Sequence, residues 1–221
     1  MKAVVFDMDG VLTDTEKIYR IYWKQEGMKL GLSEEEMTVI CDRIAGGTRK
    51  TNAGVFKEKL GEDFDYMSYR ARVMEEFNRH IHEHGVELKS NVRETLEYLK
   101  EKGVRLAVAT STYREKAEER LQMAGIYDYF DAMIYGDDIE KGKPEPDIYL
   151  KACEALSVSP KDAVGVEDSI NGVIASSAAG LYTVMVVDLI PPNAITKEKA
   201  NQIAENISIL TDIYKSTCSY I

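Results

Sequence analysis

The chain has 221 residues, 44% of them hydrophobic and 30% charged, enough for one sizeable globular core or a core with a smaller inserted domain. A net charge of −10 excludes a basic surface for nucleic acid or an anionic membrane, yet it admits a small anionic substrate wherever a metal and a few basic side chains reverse the local sign. The three scattered cysteines (Cys41, Cys153 and Cys218) exclude a disulfide scaffold or zinc module, and with no signal-peptide pattern and no apolar run of spanning length a cytoplasmic protein is expected.

In chain order, the first predicted strand is Ala3–Phe6, an apolar and β-branched run that ends in Asp7-Met8-Asp9-Gly10-Val11. Residues 15–88 contain no convincing strand and carry Glu, Lys, Arg, Tyr and Met at helical spacing. They are expected to form a helical domain inserted after the first strand, residues 1–14 and 89–221 forming the α/β core. From there strands alternate with helices. The predicted helix Asn91–Lys102 precedes the strand Arg105–Ala109, and Arg114–Ala124 precedes Ala132–Tyr135. Ile148–Leu156 precedes Ala163–Val166, and Ile170–Ala179 precedes Thr183–Val187. Glycines at 103, 125 and 180 supply helix stops. The last segment, 193–221, reads as one helix and a short apolar tail. This alternation predicts a Rossmann-like, three-layer α/β/α core on a parallel sheet, plus a small inserted α-helical cap.

Reactive groups in such a sheet collect beyond the carboxyl ends of the strands. The first strand delivers Asp7 and Asp9, which packing alone does not explain. Two carboxylates at close range resist joint ionisation unless a cation shares them. The second strand delivers Thr110, Ser111 and Thr112, and the third leads to Lys141-Gly142-Lys143-Pro144-Glu145-Pro146. The fourth ends in Glu167-Asp168-Ser169. Acids suit Mg²⁺, while a hydroxyl and a lysine suit phosphoryl oxygens. Each residue also has a plainer role available. Thr110 or Thr112 would cap the next helix, Glu167 and Asp168 would face the positive end of the following one, and Lys141 competes with Lys143. His80 and His84, one helical turn apart, form a possible metal pair but read better as a solvated stretch.

The motifs Asp7-Met8-Asp9-Gly10-Val11, Thr110, Lys143-Pro144-Glu145-Pro146 and Val166-Glu167-Asp168-Ser169 together resemble the four signatures of the haloacid dehalogenase superfamily. They stand in the family's order, and the match is to the phosphatase and β-phosphoglucomutase branch, since true dehalogenases lack the second aspartate. The resemblance implies that Asp7 attacks phosphorus and that Asp9 acts as acid and base, its backbone carbonyl helping to hold Mg²⁺. It implies further that Thr110 and Lys143 bind the phosphoryl group, and that Asp7 and Asp168, with Glu167, ligate the metal. It also points to Gly46-Gly47-Thr48-Arg49 as a cap loop, with Arg49, Thr15, Tyr19 and Ser111 as substrate contacts.

One departure ranks the outcomes. β-Phosphoglucomutases carry a histidine on the first cap helix where this chain has Tyr19, and a tyrosine titrates far from neutrality. The cap lysine of the mutases also lacks a clear counterpart, with Arg70, Arg72 and Arg79 nearby. The implied function is a Mg²⁺-dependent phosphatase of a small phosphorylated metabolite, such as a sugar phosphate, acting as a monomer without nucleic acid or membrane partners. β-Phosphoglucomutase is the alternative. A catalytically silent binding protein on the same fold ranks third, because it has no need of such a costly cluster of charge.

Overall fold

The computed structural model describes residues 1–44 and 49–218. Its first strand, β1 (Ala3–Phe6), is followed by four helices, α1 (Thr15–Met28), α2 (Glu34–Ile44), α3 (Arg49–Leu60) and α4 (Tyr66–His84). Alternation then begins with α5 (Val92–Glu101), β2 (Arg105–Ala109), α6 (Arg114–Met123), β3 (Ala132–Ile134), α7 (Asp147–Ala155) and β4 (Ala163–Glu167). It closes with α8 (Ile170–Ala178), β5 (Tyr182–Val186), α9 (Ala194–Lys199), β6 (Gln202–Ala204) and α10 (Ile209–Cys218). The six strands are parallel in the order β3-β2-β1-β4-β5-β6.

The central strands are mainly apolar and buried because both faces of the sheet are covered there. Val4, Phe6, Leu106, Val108, Val164 and Val166 point to one face, where they meet Leu96 and Leu99 of α5, Leu121 of α6 and Leu210 of α10. Their neighbours Ala3, Val5, Ala107, Ala109 and Ala163 point to the other, against Ile148, Ala152 and Cys153 of α7 and Ala175 of α8. This period-2 alternation produces the expected three-layer α/β/α arrangement. The register pairs Phe6 with Val108 on one side and with Val166 on the other, so β1, β2 and β4 end in step. Gly165 lets α8 approach closely, since a Cβ there would fall 2.1 Å from Ser176 Oγ.

Two compact units divide the chain, Met1–Asp14 with Val86 onward, and Thr15–Gly85. The return to the sheet unit therefore begins at Val86 and not at Lys89. Backbone pairing explains this: Asp14 N–H donates to Glu87 O, Lys89 N–H donates to Leu12 O, and Thr13 bridges Leu88. The helical unit is built on an aromatic core of Trp23, Phe56, Tyr66 and Tyr69, in which the Tyr69 hydroxyl donates to Trp23 O at 2.8 Å. A reciprocal capping box joins Ser33 and Glu36 at the start of α2. His80 and His84 stack at 4.4 Å in α4, and no third metal ligand joins them among the described residues.

The C-terminal segment differs from expectation. It holds two helices with β6 between them, because Asn201 N–H donates to Thr183 O, Thr183 N–H donates to the Asn201 side-chain Oδ1, and Val187 N–H donates to Ala204 O. A three-residue edge strand carries too little periodicity to stand out in the sequence. Cys41 and Cys153 are buried free thiols, and no described helix is long and apolar enough to cross a membrane.

Candidate active site

Asp7 stands one residue past β1, and its N–H still pairs with Val166 O at 2.9 Å. The chain then folds back tightly: Met8 O accepts from the N–H groups of Leu12 and Thr13 and from Thr13 Oγ1. Gly10 makes this possible with a φ of +83°, in the left-handed region that favours glycine. Because the strand stops at Phe6, the two aspartates do not share partners as residues i and i+2 of a continuing strand would. Asp7 meets Lys143, whereas the Asp9 carboxylate accepts from Thr112 Oγ1 at 2.9 Å and from Arg120 Nη1 at 3.1 Å.

Lys143 is the buried hub. Its ammonium donates to Asp7 Oδ1 at 2.5 Å, to Glu167 Oε1 at 2.5 Å and to Ala109 O at 3.0 Å, so the ends of β1, β2 and β4 converge on one cation. Lys141, its rival in the sequence, is exposed. Burial works against the Lys143 charge, but the Asp7 and Glu167 carboxylates outweigh it and hold its pKa above the ordinary lysine value. Burial likewise pushes Asp7 up. Lys143 opposes that rise, and Glu167 and Asp9 add to it.

Glu167 is fully buried and engaged through both oxygens. Oε1 also accepts from the Tyr149 hydroxyl at 2.6 Å, and Oε2 accepts from Ser169 Oγ at 3.2 Å. Ser169 Oγ in turn accepts from Gly172 N–H and caps α8. Gly172 leaves room for this carboxylate, because a Cβ there would fall 1.9 Å from Glu167 Cδ. With Glu167 pinned by three side chains, Gly172→Ala is expected to lower stability by about 1–3 kcal/mol through overpacking and to impair activity by shifting Lys143. A melting curve and an activity assay check this, and a wild-type Tm would show that α8 yields freely.

Asp7, Glu167 and Asp168 present oxygens within 4.8 Å of one another, all three residues buried. An all-oxygen carboxylate set suits a hard divalent cation such as Mg²⁺. Gly10 shapes the same place, since a Cβ on it would fall 2.2 Å from Asp168 Oδ2. The donor chemistry and this cradle fit the metal that the motifs imply.

Among the other expected site residues, Thr110 is buried at the end of β2, its Oγ1 accepting from Thr112 N–H at 3.0 Å. Neither threonine caps α6, whose cap position is Tyr113. Ser111 is exposed beside them, and its carbonyl crosses Gly136 so closely that a Cβ there would lie 2.3 Å away. Thr15, Tyr19 and Arg49 belong to the helical unit. Thr15 is buried at the start of α1, Tyr19 stacks on Phe77 at 3.9 Å, and Arg49 opens α3 in an exposed position. Gly46, Gly47 and Thr48 of the expected cap loop lie outside the described residues. Of the nearby arginines, Arg72 pairs with Glu26 and Arg79 with Glu76.

Sequence reasoning missed Arg120, Tyr149 and Asp188. Arg120 and Tyr149 look like ordinary helix residues, and only packing turns them towards carboxylates. Asp188 did carry a signal, because it follows the end of β5 at the same rim that supplies the other acids.

A family model for haloacid dehalogenase-like hydrolases matches residues 4–186. A phosphorylated carbohydrates phosphatase of Thermotoga maritima is 40% identical over 183 residues, covering 82% of each chain. The β-phosphoglucomutase of Bacillus subtilis is 31% identical over 201 residues, covering 84% of this chain and 83% of its own. A crystal structure from Thermotoga maritima, provisionally named a β-phosphoglucomutase, superposes with a TM-score of 0.79 at 34% identity, over 97% of this chain and 99% of its own. The motif resemblance is thereby borne out, and this chain belongs to the haloacid dehalogenase-like hydrolase family.

Proposed function

We propose that this protein is a Mg²⁺-dependent phosphatase that hydrolyses a small phosphorylated metabolite of the sugar-phosphate class through an aspartyl phosphate on Asp7. The observation that carries this reading is the buried Asp7–Lys143–Glu167 arrangement, in which a carboxylate at a strand end is held by a lysine that a second carboxylate anchors. An Asp7 oxygen attacks phosphorus, the bond from phosphorus to the substrate oxygen breaks, and Asp9 gives the departing alkoxide its proton. Water then attacks phosphorus and passes a proton to Asp9. The bond to Asp7 breaks, releasing inorganic phosphate and restoring the carboxylate. Lys143 offsets charge on the phosphoryl group, and Thr110 hydrogen-bonds one of its oxygens. Thr112 and Arg120 orient Asp9 between these steps. A Mg²⁺ held by Asp7 and Asp168, with Glu167 beside them, would further neutralise the phosphoryl oxygens.

The 40% identical relative that acts on phosphorylated carbohydrates supports the substrate class. A second reading, β-phosphoglucomutase, is favoured by the relatives that bear that name. In that case a bound sugar hydroxyl replaces water as the second nucleophile. The flat stacking of Tyr19 on Phe77 weighs against it, since this tyrosine, which the resemblance sets where mutases carry a histidine, packs within the helical unit.

A paired assay in Mg²⁺ decides between the readings. Phosphate release from a panel of sugar and other small phosphate esters is followed beside bisphosphate-primed conversion of β-glucose 1-phosphate to glucose 6-phosphate. Release without isomerisation is the expected result, whereas isomerisation outpacing release would make the protein a mutase. Neither reaction, with no phosphoryl label on Asp7, would point to a silent binding protein.

A further inference from the structure

Asp188, just past β5, carries a buried carboxylate that the proposed reaction does not use. Its side chain is only 5% exposed. Oδ1 accepts from Lys89 Nζ at 2.5 Å, and Lys89 also reaches Asp14 at 3.2 Å. Oδ2 is a buried acceptor without a donor among the described residues. Buried polar atoms of this kind are rare and call for an explanation.

The direction of Oδ2 supplies one. A Cβ built on Gly10 would fall 3.1 Å from Asp188 Oδ2 and 2.2 Å from Asp168 Oδ2, so the two oxygens converge on the space that Gly10 keeps open. Lys89 sits on the other oxygen, leaving Oδ2 to face a carboxylate of like charge. Two such oxygens coexist when donors or positive charge stand between them. Mg²⁺ characteristically keeps several of its waters, and each water is a hydrogen-bond donor.

We propose that Asp188 is a positioning residue of the cation site, its free Oδ2 accepting hydrogen bonds from the waters of a divalent cation held by Asp7 and Asp168. Lys89 occupies only the other oxygen, Oδ1. The proposal rests on the reading of Asp7, Glu167 and Asp168 as a cation site.

The test is Mg²⁺ binding to the full chain by calorimetry, with Mn²⁺ binding by electron paramagnetic resonance in parallel and no substrate present. Asp188→Asn keeps the side-chain shape, but with its amide oxygen turned to Lys89 it aims an N–H₂ donor at the cation. Affinity should fall by about tenfold or more. Asp188→Ser, carried alongside, gives the same reading if the asparagine variant fails to fold. Lys89→Met removes a positive charge and leaves the carboxylate, so affinity should hold or rise. Wild-type affinity in both Asp188 variants would overturn the proposal. So would an equal loss in the Asp188 and Lys89 variants, which would make Asp188 only the partner of Lys89. A wild-type protein that binds neither cation would instead remove the cation site itself.

Discussion

Asp7→Asn is expected to reduce turnover by roughly 10⁴- to 10⁶-fold, the scale seen when a catalytic nucleophile or its partner is removed. The substitution keeps shape and a hydrogen-bond acceptor for Lys143, so the fold should persist. Stability should move the other way. Burial raises the Asp7 pKa in the folded state, so the folded protein holds this proton more tightly than the unfolded chain does. The contribution of Asp7 to stability therefore falls as pH rises above the unfolded carboxylate range. A neutral amide escapes that loss. Without Mg²⁺ the variant should melt above wild type, with a gap wider at pH 8 than at pH 5. With Mg²⁺ the gap should shrink, because the cation stabilises the wild type preferentially. Melting curves at two pH values, with and without Mg²⁺, check this. Turnover retained to within tenfold would eliminate Asp7 as the nucleophile.

Lys143→Met should carry the largest cost in stability. It removes the cation from between two buried carboxylates and strands both, a loss of about 3–5 kcal/mol. Turnover should disappear with it. The penalty has a pH signature. Without Lys143, nothing opposes the burial that already raises the Asp7 pKa, and protonation of Asp7 relieves part of the stranded charge. The difference from wild type should thus narrow as pH falls from 8 towards 5, as denaturant unfolding at several pH values would show. Lys141→Met is the matched control. That lysine is exposed two residues away, and its loss should change stability by no more than about 0.5 kcal/mol. Equal effects of the two substitutions would remove Lys143 from its assigned place.

Much of this was open to reading in the chain itself. Apolar β-branched runs separated by helical periodicity imply a parallel sheet covered on both faces. The rule that reactive groups lie beyond strand ends gathers Asp7 and Asp9, Thr110-Ser111-Thr112, the turn holding Lys141 and Lys143, and Glu167-Asp168, and the family resemblance narrows these to Asp7, Asp9, Thr110, Lys143, Glu167 and Asp168. Those features are local, since each depends on a few consecutive residues and on the covalent alternation of side chains along a strand. Lys141 and Lys143 compete in the same turn, and the resemblance carried by Lys143-Pro144-Glu145-Pro146 favours Lys143.

Other properties depend on residues far apart in the chain and were decided by packing. Arg120 reaches Asp9 across 111 positions, and Lys89 reaches Asp188 across 99. No periodicity records such a meeting, because it depends on how α6 and the loop after β5 settle against the sheet. The short β6 forms only because β5 offers an edge to pair with. The sharp fold-back after Asp7 sends the two aspartates to different partners, whereas a strand continuing through Asp9 would turn both to one face. Sequence thus determined which chemical groups gather at the rim of the sheet. Tertiary structure decided which of them touch and which carry charge under burial, because contact and desolvation are properties of the packed chain.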